Sequence, residues 1–388
     1  MIKNTSLIKN TALISLFLVS FSIFFDYYSI LKGHEFYYSL EKDYNNGPDY
    51  WFTISITFIA FVAVFFHIFT KSKFKKNILV TVMLMEGFLF ASFYNAGLNQ
   101  GLWALISIPI VFIYLLEVIK KVRLKKVYIT FPLYLHLIWA ITPVFIYAAN
   151  PQSEIIINEL NQFIGLSSSR TTYGYLASIS FAFIVVYRPK FWTIFIPILL
   201  VGIMLSSSRA PILAILISSL YVVYYDKRIK YKKIMLGILM ILTLIFFSLF
   251  LFYSERVALL DLEGNLTRLF IYKHHLQYAA EHILFGAGGP YAPDSMEFIN
   301  GNIKYGKFPA HNFFLETLTS FGIFVVISWL ALLIFFWSKL HPMGRVFMLI
   351  YIVYGMVHNG FGLSVLNPNM FFIMFIAVMT SNFFKQYK

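Results

Sequence analysis

An all-α, polytopic membrane protein is what this sequence predicts, on three observations. Apolar residues make up 59% of the 388-residue chain and charged residues only 12%, against roughly 45–50% and about 25% in soluble domains. Apolar runs of about 20 residues, the length that crosses a bilayer's hydrocarbon as a helix, recur from end to end. Lys and Arg gather in alternate breaks between those runs. A soluble globule of this composition could not cover itself with polar groups, so the membrane is the solvent for most of the chain.

Taken in order, the apolar runs give about twelve candidate spans, at 11–31, 51–70, 78–95, 102–119, 128–149, 171–187, 191–205, 210–225, 234–253, 311–337, 346–363 and 369–384. The first is long, lacks a small-residue cleavage site and leads into further spans, so a retained helix is expected there. The twelve form one integral membrane domain over 1–388. Of the 31 Lys and Arg, 22 fall at the N-terminus, at 71–76, 120–126, 188–190, 227–233 and 339–345, and at the C-terminus. Basic residues stay in the cytoplasm, which puts both termini there and the alternate loops outside. Fourteen of the 17 acids lie on or near those outer loops, Glu86, Glu117 and Asp226 being the exceptions.

The same partition accounts for the net charge of +14. The basic loops are short and face anionic lipid headgroups, so the charge points to membrane lipids and not to nucleic acid. Cysteine is absent, which excludes disulfides, thiolate nucleophiles and Cys-ligated metals. The aromatic residues suit interfacial belts and helix packing. One outer segment, 254–309, precedes the tenth span and is too long to be a mere connection. Its amphipathic stretch from Arg268 to Ile283 predicts a short ordered helix, ahead of a Gly- and Pro-rich centre at Gly286, Gly288, Gly289, Pro290 and Pro293.

Four outer residues stand where spans running inward begin, or just before one. Arg170 follows Ser167-Ser168-Ser169, Arg209 follows Ser206-Ser207-Ser208, and His311 opens the tenth span, with Arg268 in the long loop before it. A helix N-terminus carries unpaired N–H groups and partial positive charge, and serine is a favoured cap. A guanidinium added there grips phosphate through two parallel hydrogen bonds, so the repeated Ser-Ser-Ser-Arg suggests a phosphate or pyrophosphate cradle. An arginine in that position equally serves by reaching to lipid headgroups, and the residues alone leave both readings open.

At a helix N-terminus among arginines, the His311 imidazole is disfavoured as a cation and can accept a proton, as a general base must. A histidine at the membrane boundary can also be only a polar interface residue. Glu316, five residues on, is about 140° around a helix from His311. It shares a face with Asn312, and both are expected to sit behind the reacting groups. The other histidines show no zinc spacing, and no metal site or cofactor is expected. Residues 301–307 have Walker A spacing, yet Phe308 stands where Ser or Thr would bind Mg²⁺. Glu41 and Asp43 in the first outer loop read as a solvated acidic pair, and Glu86 is the one carboxylate deep in a span.

Together these motifs resemble the O-antigen polymerase and O-antigen ligase family of bacterial membrane glycosyltransferases. The resemblance is carried by Ser208-Arg209-Ala210, by Thr267-Arg268-Leu269 running into the 282–288 stretch, and by His311-Asn312-Phe313-Phe314-Leu315-Glu316 followed by Phe321-Gly322-Ile323. It covers roughly 165–340. It implies a multi-pass protein of the bacterial inner membrane with its active site facing the periplasm, and a donor glycan linked to undecaprenyl pyrophosphate. It further implies that Arg209 and Arg268 hold the pyrophosphate. His311 takes the acceptor proton during inverting transfer without a metal. Arg170 joins them on the repeated serine pattern alone. The product is expected to be O-antigen, capsule or a related polysaccharide, with a chain-length regulator and a flippase as possible partners.

Within the family, the Phe-Phe-Leu-Glu after His311-Asn312 looks more like a polymerase than a ligase that moves finished glycan onto lipid A core. Two other readings are a polyprenyl-phosphate-sugar transferase, which the Glu41/Asp43 pair resembles, and a lipid-linked-glycan flippase. The chain shows no internal repeat of the kind transporters carry.

Overall fold

The computed structural model describes residues 2–20, 48–69, 109–119, 122–157, 163–167, 170–206, 208–232, 234, 235, 237, 262–287, 294–299, 302–308, 310, 312–356 and 368–386. They are mostly helical. The helices are α1 (Ile2–Ser20), α2 (Pro48–Phe69), α3 (Lys126–Ala149), α4 (Arg170–Tyr187), α5 (Trp192–Ser206), α6 (Arg209–Tyr225), α7 (Leu262–Glu281), α8 (Phe313–Lys339), α9 (Pro342–Gly355) and α10 (Pro368–Gln386). A π-helical turn, Tyr114–Val118, lies between α2 and α3. Of the described helices, α3 and α8 are long and apolar enough to cross a membrane. The expected spans at 78–95 and, beyond residue 237, at 234–253 lie outside the described residues.

Helix α4 is buried on almost every side, between α3, α5, α6 and α9. Its buried serines are satisfied inside the helix: Ser178 Oγ donates to the Gly174 carbonyl at 2.8 Å and Ser180 Oγ to that of Leu176 at 2.9 Å. Polar groups in hydrocarbon need such internal partners. The outward faces of α3, α5 and α8 carry exposed Phe131, Ile138, Phe145, Ile194, Val201, Ile327 and Ile334, which suits lipid.

Basic loops meet at one end of the bundle. Arg188, after α4, and Arg228, after α6, both pair with Asp226, at 3.1 and 2.8 Å. Burial would raise the Asp226 pKa, but hydrogen bonds and charge from Arg228, with the charge of Arg188, hold it below the usual carboxylate range. Lys385 Nζ donates to the Lys339 carbonyl at 2.6 Å, and Asn382 Nδ2 to the carbonyls of Ile119 and Val122, each at 3.0 Å. Since α4 and α6 both end beside Asp226, both start at the opposite end.

Helix α8 breaks at Gly322, whose φ of 79° and ψ of 179° are open essentially to glycine only. The turn after α7 fills the break. Ala287 N donates to the Thr319 carbonyl at 2.9 Å, and Ile323 N to the Ile283 carbonyl at 2.8 Å. The backbones are so close that a Cβ on Gly322 would strike the Leu284 carbonyl, and one on Gly286, at φ 60°, would strike the Thr319 carbonyl. The groups freed by the kink are thus paired, as burial requires.

One departure from the all-α expectation is an antiparallel hairpin of β1 (Asp294–Ile299) and β2 (Asn302–Lys307), packed on α7. Its register pairs Ile299 with Asn302, leaving a two-residue connection that the sequence fills with Asn300-Gly301, a strong hairpin signal. The Walker-like stretch is therefore mostly the second strand of a hairpin. A phosphate-binding loop would instead run from a strand into a helix.

Gly322→Ala must relieve both the backbone strain, about 1–3 kcal/mol, and the clash with Leu284. It is expected to speed amide exchange at Ala287 and Ile323; unchanged exchange at both would show that the break tolerates a side chain.

Candidate functional site

The end of the bundle opposite the basic loops collects helix N-termini. Helices α4 and α6 begin there with Arg170 and Arg209. The second turn of α4 touches the first turn of α6: a Cβ on Gly174 would fall on the Pro211 ring and lie 3.0 Å from the Tyr354 hydroxyl. Tyr354, one residue before the end of α9, also sets its ring 5.2 Å from that of Tyr175. Next to it, Gly355 faces Phe313, the first residue of α8, with 3.6 Å from its Cβ position to the Phe313 Cβ. Through α9, the starts of α4, α6 and α8 are therefore neighbours.

Local sequence explains these starts. Pro211 falls in the first turn of α6, where its missing N–H costs no helical bond. Asn312 caps α8, its Oδ1 accepting from Leu315 N at 3.1 Å. The expected cap by Ser208 is not made: it has cap geometry but no side-chain capping bond, so its hydroxyl does not occupy the first-turn N–H groups of α6.

Arg268 lies exposed on α7, and α7 is fastened to α8 by a histidine that the spacing of the sequence did not single out. The ring of His275 is fully buried, at 0% exposure. Its Nδ1 lies 2.9 Å from Thr319 Oγ1 and its Nε2 3.1 Å from the Phe308 carbonyl. Burial pulls its pKa below the ordinary value; the Phe308 bond opposes this and the charge of His274 adds to it.

The expected residues are thus distributed as follows. Arg170 is exposed at the first position of α4, and Arg209 holds the same position on α6, its side chain outside the described residues. His311 also lies outside them, as do Glu41, Asp43 and Glu86. His311 was expected to open a helix, but α8 starts at Phe313 with Asn312 as its cap, because the asparagine side chain supplies the capping acceptor. The 140° angle between His311 and Glu316 therefore does not apply. Glu316 sits half-buried in the first turn, its N–H bonded to the Asn312 carbonyl at 2.9 Å. A cavity of about 360 Å³ lined by Tyr147, Pro151, Gln152, Ile157, Phe163 and Leu205 includes none of these charged residues.

Asn312→Ala removes the cap and is expected to cost about 1 kcal/mol, read as a lower unfolding midpoint in detergent titration. The pH dependence follows from His275. Its pKa is lowered in the folded state, so the unfolded chain takes up the proton first. Stability from this site is full above the ordinary value of 6.5 and falls as the pH drops below it toward the folded value. Amide exchange at Ala287 should quicken between pH 7 and 5 beyond its intrinsic pH dependence, and no such change in His275→Gln would confirm the source.

No curated protein and no solved structure matches this chain. Residues 194–330 match the family model described as O-antigen ligase. That stretch runs from the start of α5 into α8 and includes Arg209, Arg268, His275, Gly286, His311 and Gly322, but not Arg170. Over that stretch the chain is similar to the O-antigen ligase family.

Proposed function

We propose that the protein is a polysaccharide polymerase that joins undecaprenyl-pyrophosphate-linked oligosaccharide repeat units at the outer face of the bacterial inner membrane. The family acts on lipid-linked glycans, and the observation that carries the reading is the meeting of helix starts beside α9. Arg170 and Arg209 open two of those helices, and His311 directly precedes the cap of the third. Guanidinium groups and open N–H groups suit a diphosphate, whose charge grows as the sugar departs.

In the proposed step, the acceptor hydroxyl oxygen attacks the donor's anomeric carbon from the side opposite the pyrophosphate. The new C–O bond forms as the old one breaks, with inversion. The hydroxyl proton passes to neutral His311, and undecaprenyl pyrophosphate leaves with the electron pair, held by Arg209, Arg268 and Arg170. Asn312 and Glu316 shape the start of α8 behind the imidazole. The charge stabilisation that a divalent cation gives nucleotide-sugar enzymes is assigned here to the arginines. The twelve spans, the cytoplasmic termini, and partnership with a flippase and a chain-length regulator belong to the same proposal. The shared pairing of the 188 and 226 loops fits the alternation of basic loops.

The description of the matched family favours a second reading, a ligase moving the finished glycan to lipid A core. Purified protein in lipid nanodiscs, given one lipid-linked repeat unit with and without lipid A core, separates the two. A ladder on undecaprenyl pyrophosphate marks a polymerase, and transfer to lipid A core alone marks a ligase.

In that assay, His311→Ala should lower turnover about 10²–10⁴-fold, the range for loss of a general base. Arg209→Lys and Arg268→Lys keep the charge but lose the two-pronged grip, and each should lower turnover at least about tenfold. Wild-type rates in both Lys variants would remove the cradle.

A further inference from the structure

We infer that His275 is a positioning residue that sets where the Arg268 helix sits against the His311 segment, an inference that rests on the reaction proposed above. Its two ring nitrogens reach both sides of His311 in the chain. Phe308 precedes His311 by three residues, and Thr319 lies in the second turn of α8 beyond it. One side chain thus joins a helix bearing a candidate phosphate ligand to the two flanks of the candidate base.

The register along α7 supports this role. Seven residues separate Arg268 from His275, which is about 700° of helical rotation, so the two share a face within roughly 20°. They stand about 10 Å apart along the axis. Ile271 and Ala279 continue that face and are buried with His275, whereas Arg268 emerges from it into the open. Among the described side chains of α7, these three are the buried ones. So thin an apolar contact is non-directional, and the main-chain splice to α8 holds only the turn beyond the C-terminal end of α7. Two hydrogen bonds from a rigid ring fix both its rotation and its height.

The hydrogen bonds also fix the ring's proton. A carbonyl only accepts, so Nε2 carries the hydrogen toward Phe308, and Nδ1 of the neutral ring accepts a hydrogen bond from the Thr319 hydroxyl. Thr319 Oγ1 is also 2.7 Å from the Leu315 carbonyl, the alternative acceptor for that one proton. Thr319 carries three connections at once, because its own carbonyl receives the Ala287 N–H from the turn after α7. Movement at His275 is therefore transmitted to the backbone splice at Gly322 as well as to the His311 segment.

The chain has no cysteine, so spin labels can be attached in pairs without first removing native thiols. Leu269, 63% exposed beside Arg268, and Ile327, 56% exposed on α8, are suitable sites. In the parent protein the label distance should be narrowly distributed. His275→Leu, which keeps bulk without hydrogen bonds, and Thr319→Val should each broaden it. In unlabelled protein both should lower kcat about tenfold or more, with KM held within about threefold. Thr319→Ser keeps the hydroxyl and should restore the narrow distribution and the rate.

A narrow distribution in His275→Leu, with kcat within about twofold of the parent, would overturn the inference. Should His275→Leu not fold, the Thr319→Val and Thr319→Ser pair decides by the same criteria. If the parent protein transfers no glycan at all, the reaction reading fails. The label distances then judge the placement of α7 without it.

Discussion

The structure around the candidate site depends on the backbone exchange between the broken helix α8 and the turn that follows α7. Breaking a helix inside a membrane protein exposes a carbonyl and an N–H that hydrocarbon cannot satisfy. Here the Thr319 carbonyl takes the Ala287 N–H, and the Ile323 N–H reaches the Ile283 carbonyl. The kink exists because another segment completes it, and that segment carries Arg268 on its helix. Side-chain burial alone gives little direction to packing between helices in lipid, so paired main-chain groups are an economical way to fix one arrangement.

From this exchange the rest of the region follows. The first turns of α8 point to the end of the bundle where α4 and α6 begin, with α9 between them supplying Tyr354 and Gly355. The hairpin lies on α7 and returns the chain through Phe308 and Ala310 to the cap at Asn312. His275 closes the loop by holding Phe308 and Thr319 together. The contacts that tie α7 and its turn to α8 are main-chain and buried polar ones, whereas the starts of α4, α6 and α8 meet through side-chain packing on α9.

Much of this is legible in the sequence. Hydropathy located α3, α4, α5, α6, α8 and α10 to within a few residues, because each coincides with an apolar run bounded by polar breaks. The amphipathic pattern after Arg268 announced α7. Arg170 and Arg209 were marked by their place at helix starts, and Arg268 by its place in the long outer segment. What escaped was the hairpin: its Asn300-Gly301 turn signal was present but read through the Walker-like spacing of the same stretch. His275 escaped because a buried ring that bonds to a hydroxyl and a carbonyl leaves no motif; only its interval of seven from Arg268 hinted at a shared face. The break at Gly322 escaped for a related reason. A glycine within an apolar run is common in membrane helices, and nothing local says that a distant turn will enter beside it.

Gly286 and Gly322 each face the other segment's main chain and not its side chains. A crowded side chain can be relieved by trimming its neighbour, whereas a crowded carbonyl cannot, since every amino acid carries the same one. No second substitution can therefore make room for a larger residue at either position. The two glycines are coupled through atoms that mutation does not alter, and variation in this region has to leave both in place and proceed around them.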